Sequence, residues 1–130
     1  MKMSQWSDMY RQKLTTPEKA VKIVQSGDWV DYGMATSQPI LLDKALAERK
    51  EELKDIKVRM SFSFMPRQII ECDPQRETFT AMNWHMSGYD RKMCAKGLMN
   101  FIPMCYRNEP SMYRDILDVD VAMITVAPMD

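Results

Sequence analysis

Apolar residues recur along this chain with two periods, one helical and one of two, and the alternation lays out a series of helices and strands. Trp6, Met9, Tyr10 and Leu14 fall on one helical face, which predicts an amphipathic helix over 4–14. Thr16 then reads as an N-cap, with Pro17 in the first helical position and Glu18 in the first turn. Ala20, Val21, Ile23 and Val24 supply the apolar face of this second helix, and Gly27-Asp28 ends it. Trp29, Val30 and Tyr32 predict a strand over 29–33. Pro39 opens a third helix whose buried face carries Leu42, Ala45, Leu46, Arg49 and Leu53, while Glu48, Lys50, Glu51, Glu52 and Lys54 form its solvated face.

Further along, Ile56, Val58, Met60 and Phe62 alternate with Lys57, Arg59 and Ser61, the period of a strand with one face more exposed than the other. The stretch 65–73 admits a short helix started by Pro66 and ended by Asp73-Pro74. A strand is expected over 77–86, a helix over 89–95 capped by Ser87 and closed by Gly97, and a short strand over 98–104. A helix over 110–117 follows. The run 119–127 is almost continuously apolar, as in a strand covered on both faces of a parallel sheet. Strands separated by helices imply an α/β domain with an open, mostly parallel sheet and flanking helices.

In such sheets ligands bind beyond the carboxyl ends of the strands. Four loops are expected there: Gly33, Met34, Ala35, Thr36, Ser37, Gln38 and Pro39 in the first, 63–66 with Met65 in the second, 103–106 with Met104 and Tyr106 in the third, and 127–130 in the fourth. The first loop runs from a strand into a helix start, where backbone N–H groups meet anions or carbonyl oxygens, and Thr36, Ser37 and Gln38 add side-chain donors. The same pattern fits an ordinary strand–helix turn in which Ser37 or Thr36 caps the third helix. It has neither the GxGxxG nor the GxxxxGK[ST] spacing of a nucleotide loop.

Composition narrows the classes. The 130 residues carry 18 basic and 18 acidic side chains, so a polyanion-binding surface and a polybasic membrane anchor are not expected. No apolar run reaches bilayer length, and residues 1–8 lack a secretory apolar segment. Cys72, Cys94 and Cys105 are odd in number and widely spaced, which suits free thiols in a reducing, cytoplasmic setting better than disulfides or a metal site. His85 reads as a hydrogen-bonded structural residue or as a general base without an assignable nucleophile. Arg67, Arg91 and Arg107 read as ion-pair residues near loops. Asp118 and Asp120 read as a helix end and a strand entry. The fourteen methionines suit flexible core filling, or in part an adaptable apolar pocket.

Three blocks carry a family resemblance: Ser26-Gly27-Asp28-Trp29-Val30-Asp31-Tyr32-Gly33, Asn83-Trp84-His85-Met86-Ser87-Gly88-Tyr89-Asp90-Arg91-Lys92-Met93, and Asp120-Val121-Ala122-Met123-Ile124-Thr125-Val126-Ala127-Pro128-Met129-Asp130. Together they resemble the start of the acetyl-CoA hydrolase/CoA-transferase family, nearest to its butyryl-CoA:acetate and 4-hydroxybutyrate CoA-transferases. The resemblance runs from about Tyr10 to Asp130. It implies that residues 1–130 are an incomplete first α/β domain of a two-domain enzyme. It also implies ping-pong CoA transfer through a glutamyl-CoA thioester, with coenzyme A as substrate and no permanently bound cofactor. The family's catalytic glutamate matches no acidic residue here, so no catalytic residue is assigned. The expected partners are an acyl-CoA, a short-chain carboxylate, the C-terminal domain and further copies in a homo-oligomer. The part expected of this domain is one wall of the acyl pocket: Gly33, Met34, Ala35, Thr36, Ser37, Gln38 and Pro39, with Gln38 as side-chain donor, and Met65, Met104 and Tyr106 as apolar lining. The alternatives are a non-catalytic acyl-ligand or protein-binding module, and an acyl-CoA hydrolase, either of the same family or built on His85 and a cysteine.

Overall fold

The computed structural model describes residues 5–128. Five strands, β1 (Trp29–Met34), β2 (Ile56–Ser61), β3 (Phe79–Asn83), β4 (Asn100–Phe101) and β5 (Val121–Ala122), form one sheet in the order β4-β3-β2-β1-β5. Every neighbouring pair is parallel, so the open α/β architecture expected from the sequence is present. The α-helices among the described residues are α1 (Gln5–Lys13), α2 (Pro17–Ala20), α3 (Leu41–Ala47), α4 (Gln68–Glu71), α5 (Gly88–Ala95) and α6 (Glu109–Asp115).

The main core follows from strand register. Val30 pairs with Val58, Val58 with Ala81, and Ile56 with Phe79, so these side chains project from one face of the sheet. They are buried with Tyr32, Met60, Val21, Val24, Leu46, Ile69 and Met93. Each such apolar side chain contributes about 1.5–3 kcal/mol by leaving water. Capping follows the sequence. Thr16 Oγ1 accepts from Lys19 N, and Ser87 and Asp90 form a reciprocal capping box on α5. Gly97, at φ +74°, closes α5, with Leu98 N reaching back to Met93 O.

Several expectations are corrected. The second helix is one α-turn, α2, continued as a 3₁₀ turn over Val21–Ile23. The Lys57–Arg59–Ser61 face of β2 is not an exposed one, because Arg59 and Ser61 are buried. Strand β3 stops at Asn83 rather than near residue 86. There Asn83 Oδ1 accepts from His85 N and turns the chain out of the ladder. Only Asn100–Phe101 of 98–104 is strand, since Leu98 is spent on capping α5. The run 119–127 is not a doubly covered strand. Its paired part, β5, lies at the edge beside β1, and beyond it Met123 is buried while Ile124 and Val126 are exposed. A continuous apolar run records only that water is avoided, and an edge position leaves that unmet within the described residues. The apolar residues Trp6, Met9, Tyr10 and Leu14 of the first helix are likewise exposed.

Candidate functional site

All five strands point the same way, so their following loops share one edge of the sheet. At that edge β1 and β2 end in unusual backbone. Gly33, Ala35 and Phe62 have φ of +65°, +52° and +54°. Glycine tolerates this region, whereas for Ala35 and Phe62 it is strained, and such strain collects at ligand-binding loops. β1 also shifts register between Asp31 and Met34. A Cβ added at Gly33 would stand 3.0 Å from Ser37 Oγ and 3.2 Å from Ile124 Cγ2, so the turn admits only glycine without rearrangement.

The first predicted loop is a tight turn. Ala35–Ser37 form a 3₁₀ turn closed by Ser37, whose Oγ accepts from Met34 N and donates to Met34 O. Ser37 therefore closes its own turn and does not cap α3, whose N-cap, Ile40, makes no side-chain cap bond. Gln38 is 2% exposed. Its Nε2 donates to Ser61 O at 3.0 Å, which fastens the loop to the end of β2, while its Oε1 has no hydrogen-bond partner. Met34 and Thr36 are exposed, and Pro39 is buried.

Arg67 joins the first and second loops. It is buried, donates from its guanidinium to Pro39 O and Met65 O, and accepts no carboxylate partner within ion-pair distance among the described residues. Its expected role as an ion-pair residue is replaced by that of a carbonyl clamp. Met65 itself is exposed. It lines a groove of about 250 Å³ with Ile40, Leu41, Lys44 and Gln68. On the other side of the same α3 start, Pro39, Ile40 and Leu41 border a wider groove of about 440 Å³ with Pro17, Ile124 and Val126. Asp43 anchors the floor by accepting from Gln68 N and Ile69 N at the start of α4. Burial pushes the Asp43 carboxyl up, against those bonds and the Arg67 charge. Burial also raises the Tyr32 hydroxyl well above its ordinary value, reinforced by the Asp43 charge. Tyr89, which accepts from Arg67 N and donates to Glu71, is pushed up to about 12, chiefly by burial.

Met104 and Tyr106 follow β4, three strands away from β1. Met104 is half-buried and Tyr106 is exposed. Of the predicted site residues, the fold joins 33–39 to the loop of Met65 through Arg67, while Met104 and Tyr106 follow β4 and have no hydrogen bond to that turn among the described residues. Met129 and Asp130 of the fourth loop lie outside the described residues.

The loop after β3 was hidden from sequence reasoning by the overlong strand expected there. His85 is exposed in it, its ring 5.2 Å from that of Phe62, and Phe62 packs edge-on against Phe64 at 5.1 Å. The structure gives His85 only main-chain hydrogen bonds. Asp90 Oδ2 accepts from both Ser63 N and Ser87 N, tying the loops after β2 and β3 together. Ser63 Oγ, Asn83 Nδ2 and Asp90 Oδ1 are buried here without hydrogen-bond partners among the described residues.

A second feature missed from sequence lies on the opposite face of the sheet. Asp31 and Arg59 are register partners on β1 and β2, and both are buried. Arg59 Nε and Nη2 each stand 2.6 Å from Asp31 Oδ2. The guanidinium lies 4.5 Å from the Trp84 ring and 5.2 Å from that of Tyr113, with Glu109 Oε1 3.8 Å from Nη1. Tyr113 donates a hydrogen bond to Asp31 Oδ2, and burial, then that bond, pushes its hydroxyl far up. The signal available in the sequence was an acid and a base at the same register of adjacent strands, invisible before the register was known. Asp120, by contrast, sits at the strand entry as expected, its carboxylate accepting from Trp29 N. Cys72, Cys94 and Cys105 are free thiols, and among the described residues no three His, Cys, Asp or Glu side chains gather as a metal site. No helix among them is long and apolar enough to cross a membrane.

An open, all-parallel sheet with flanking helices, whose strained loops and buried polar groups gather at one carboxyl edge, defines an α/β domain of the open-sheet class. The chain belongs to the acetyl-CoA hydrolase/transferase family: the profile of that family's N-terminal domain matches residues 1–130. It is 43% identical over 126 residues to the butyryl-CoA:acetate CoA-transferase of Anaerostipes caccae, covering 96% of this chain and 28% of that protein. It is 41% identical to the probable butyrate:acetyl-CoA coenzyme A-transferase of Syntrophomonas wolfei, covering 93% and 27%, and 26% identical to the 4-hydroxybutyrate coenzyme A transferase of Clostridium kluyveri, covering 97% and 29%. The chain therefore spans just over a quarter of the length of these relatives. The crystal structure of RipA from Yersinia pestis superposes with a TM-score of 0.81 at 24% identity, over 98% of this chain and 32% of that one, a likeness of fold.

Proposed function

We propose that this domain forms one wall of the acyl pocket of a CoA-transferase that moves CoA between a short-chain acyl-CoA, butyryl- or 4-hydroxybutyryl-CoA, and acetate. The observation that carries the reading is the pinned turn 33–39, which presents exposed Met34 and Thr36 at the sheet's carboxyl edge and is tied through Pro39 and Arg67 to the loop of Met65. The names of the transferase relatives support the chemistry. The nucleophile is a glutamate outside these residues. Its carboxylate attacks the thioester carbonyl and expels CoA thiolate, leaving a mixed anhydride. The thiolate attacks the glutamyl carbonyl and expels the first carboxylate, giving the glutamyl-CoA thioester. Acetate then expels the thiolate from that thioester, and the thiolate attacks the acetyl carbonyl, restoring the glutamate and releasing acetyl-CoA.

The wall contributes apolar contact and a fixed position. Butyryl exceeds acetyl by two methylenes, which an apolar wall converts into about 1.6 kcal/mol, or roughly fifteenfold, in kcat/KM. The test is butyryl-CoA turnover by the protein expressed from its whole reading frame, with and without acetate. Acetyl-CoA formed in step with butyryl-CoA loss supports the transferase reading. Free CoA released at the same rate without acetate would replace it with a hydrolase.

A further inference from the structure

We propose that Asp31 is a positioning residue that fixes the turn 33–39 of the candidate acyl pocket against α6 and the loop after β3. The inference rests on the reading of the carboxyl edge as an acyl site and goes beyond it in naming what holds that turn in place.

The two carboxylate oxygens of Asp31 serve different parts of the molecule. Oδ1 accepts from Gly33 N at 2.6 Å. That bond holds the register shift at the end of β1, the positive φ of Gly33 and hence the turn that presents Met34 and Thr36. Oδ2 takes Arg59 and the hydroxyl of Tyr113. Tyr113 belongs to α6, which continues directly from the 3₁₀ turn Tyr106–Asn108, so this oxygen ties α6 to β1. The Trp84 ring, from the intervening loop after β3, packs on Arg59 and 5.5 Å from Tyr113. One buried carboxylate thus references the turn after β1 and α6 to each other, and through Arg59 the loop after β3. Charge-assisted hydrogen bonds to two oxygens of one rigid group fix direction as well as distance. A merely structural ion pair would need only Oδ2.

Asn in this position has one carbonyl oxygen, so it can accept from Gly33 N or from Arg59 and Tyr113, but not from both groups. The experiment compares wild type, Asp31→Asn and Tyr113→Phe in the protein expressed from its whole reading frame. It reads kcat/KM for butyryl-CoA and for acetyl-CoA, together with amide hydrogen exchange over residues 33–38. A slackened pocket is expected to lower butyryl-CoA turnover in Asp31→Asn about tenfold and acetyl-CoA turnover less than about threefold, with faster exchange at 33–38. Tyr113→Phe, which deletes one hydroxyl and keeps the ring, is expected to shift the ratio in the same direction by about threefold, and it decides the matter if Asp31→Asn does not fold. An unchanged butyryl-to-acetyl ratio in a folded Asp31→Asn protein, or an equal loss for both substrates, overturns the proposal. If the wild-type protein turns over neither acyl-CoA, the acyl-site reading fails by itself. The positioning claim is then judged by exchange alone, and unchanged protection at 33–38 in Asp31→Asn overturns it.

Discussion

Replacing Arg59 by Met tests the packing beneath the candidate site directly. The guanidinium makes two 2.6 Å contacts to Asp31 and lies against two aromatic rings, with both charged groups buried. Each charge-assisted bond is worth about 1.5–3 kcal/mol, and the ring contacts add about 0.5–2 kcal/mol. Met recovers part of the packing but leaves Asp31 buried with Gly33 N and Tyr113 as its remaining partners. Removing one partner of a buried pair costs about 3–5 kcal/mol, so Arg59→Met is expected to destabilise by about 4 kcal/mol. Domain stabilities run at about 5–15 kcal/mol, which makes this a loss of about a quarter or more. Urea unfolding followed by circular dichroism reads it as a midpoint lower by about 2 M, taking a slope of about 2 kcal/mol/M, with that slope unchanged. The double variant Arg59→Met/Asp31→Leu separates charge from shape. With no unpaired carboxylate left, it is expected to cost clearly less than the sum of the two single variants, the acceptor lost by Gly33 N and the Tyr113 hydroxyl remaining as its own cost. A single-variant loss below about 1 kcal/mol, or simple addition in the double variant, would refute the assignment of this pair as a desolvated unit.

Other consequences are measurable in the same way. Burial alone would raise the Asp73 carboxyl, but the N–H groups of Phe79, Thr78 and Glu77 and the ammonium of Lys50 outweigh it and hold it below the usual carboxylate range. Its folded value lies below its unfolded one of about 3.9, so its contribution is present above about pH 4 and is lost as pH falls through the folded value. Asp73→Ala is expected to cost about 3 kcal/mol at pH 7 and to flatten the acid limb of a stability–pH curve; an unchanged acid limb counts against the role. Asp43, raised by burial, works with the opposite sign: its charged form costs stability at neutral pH, and the cost is relieved as pH falls through its folded value. Gly33→Ala meets both a positive φ and Ser37 Oγ at 3.0 Å, and is expected to cost about 1–3 kcal/mol, seen as a melting temperature lower by about 5 °C or more.

What was legible in the sequence was local. Thr16 before Pro17, Ser87 before α5 and Gly97 after it announce helix ends through bonds that span a few residues. The alternation around Val58 announces a strand, and the succession of elements announces a parallel sheet with a ligand edge. The loop 33–39 was placed by that logic alone, and the three family blocks placed the domain in its family. Distant pairing was not legible. Arg59 looked like a solvent-facing member of an alternating strand until β1 and β2 came into register and set it against Asp31, 28 positions away. Tyr113, 82 positions from Asp31, could be matched to it only by folding α6 across the sheet. The loop position of His85 was hidden because strand propensity around Trp84 carries no record of the Asn83 side chain bonding the backbone ahead of it. The apolar run after Asp118 promised burial that an edge position beside β1 withholds. Periodicity and capping act through neighbours in the chain and are written there. Burial of a charge, and the sharing of one carboxylate among β1, β2 and α6, arise from contacts between residues far apart in the chain, and only the tertiary structure decides them.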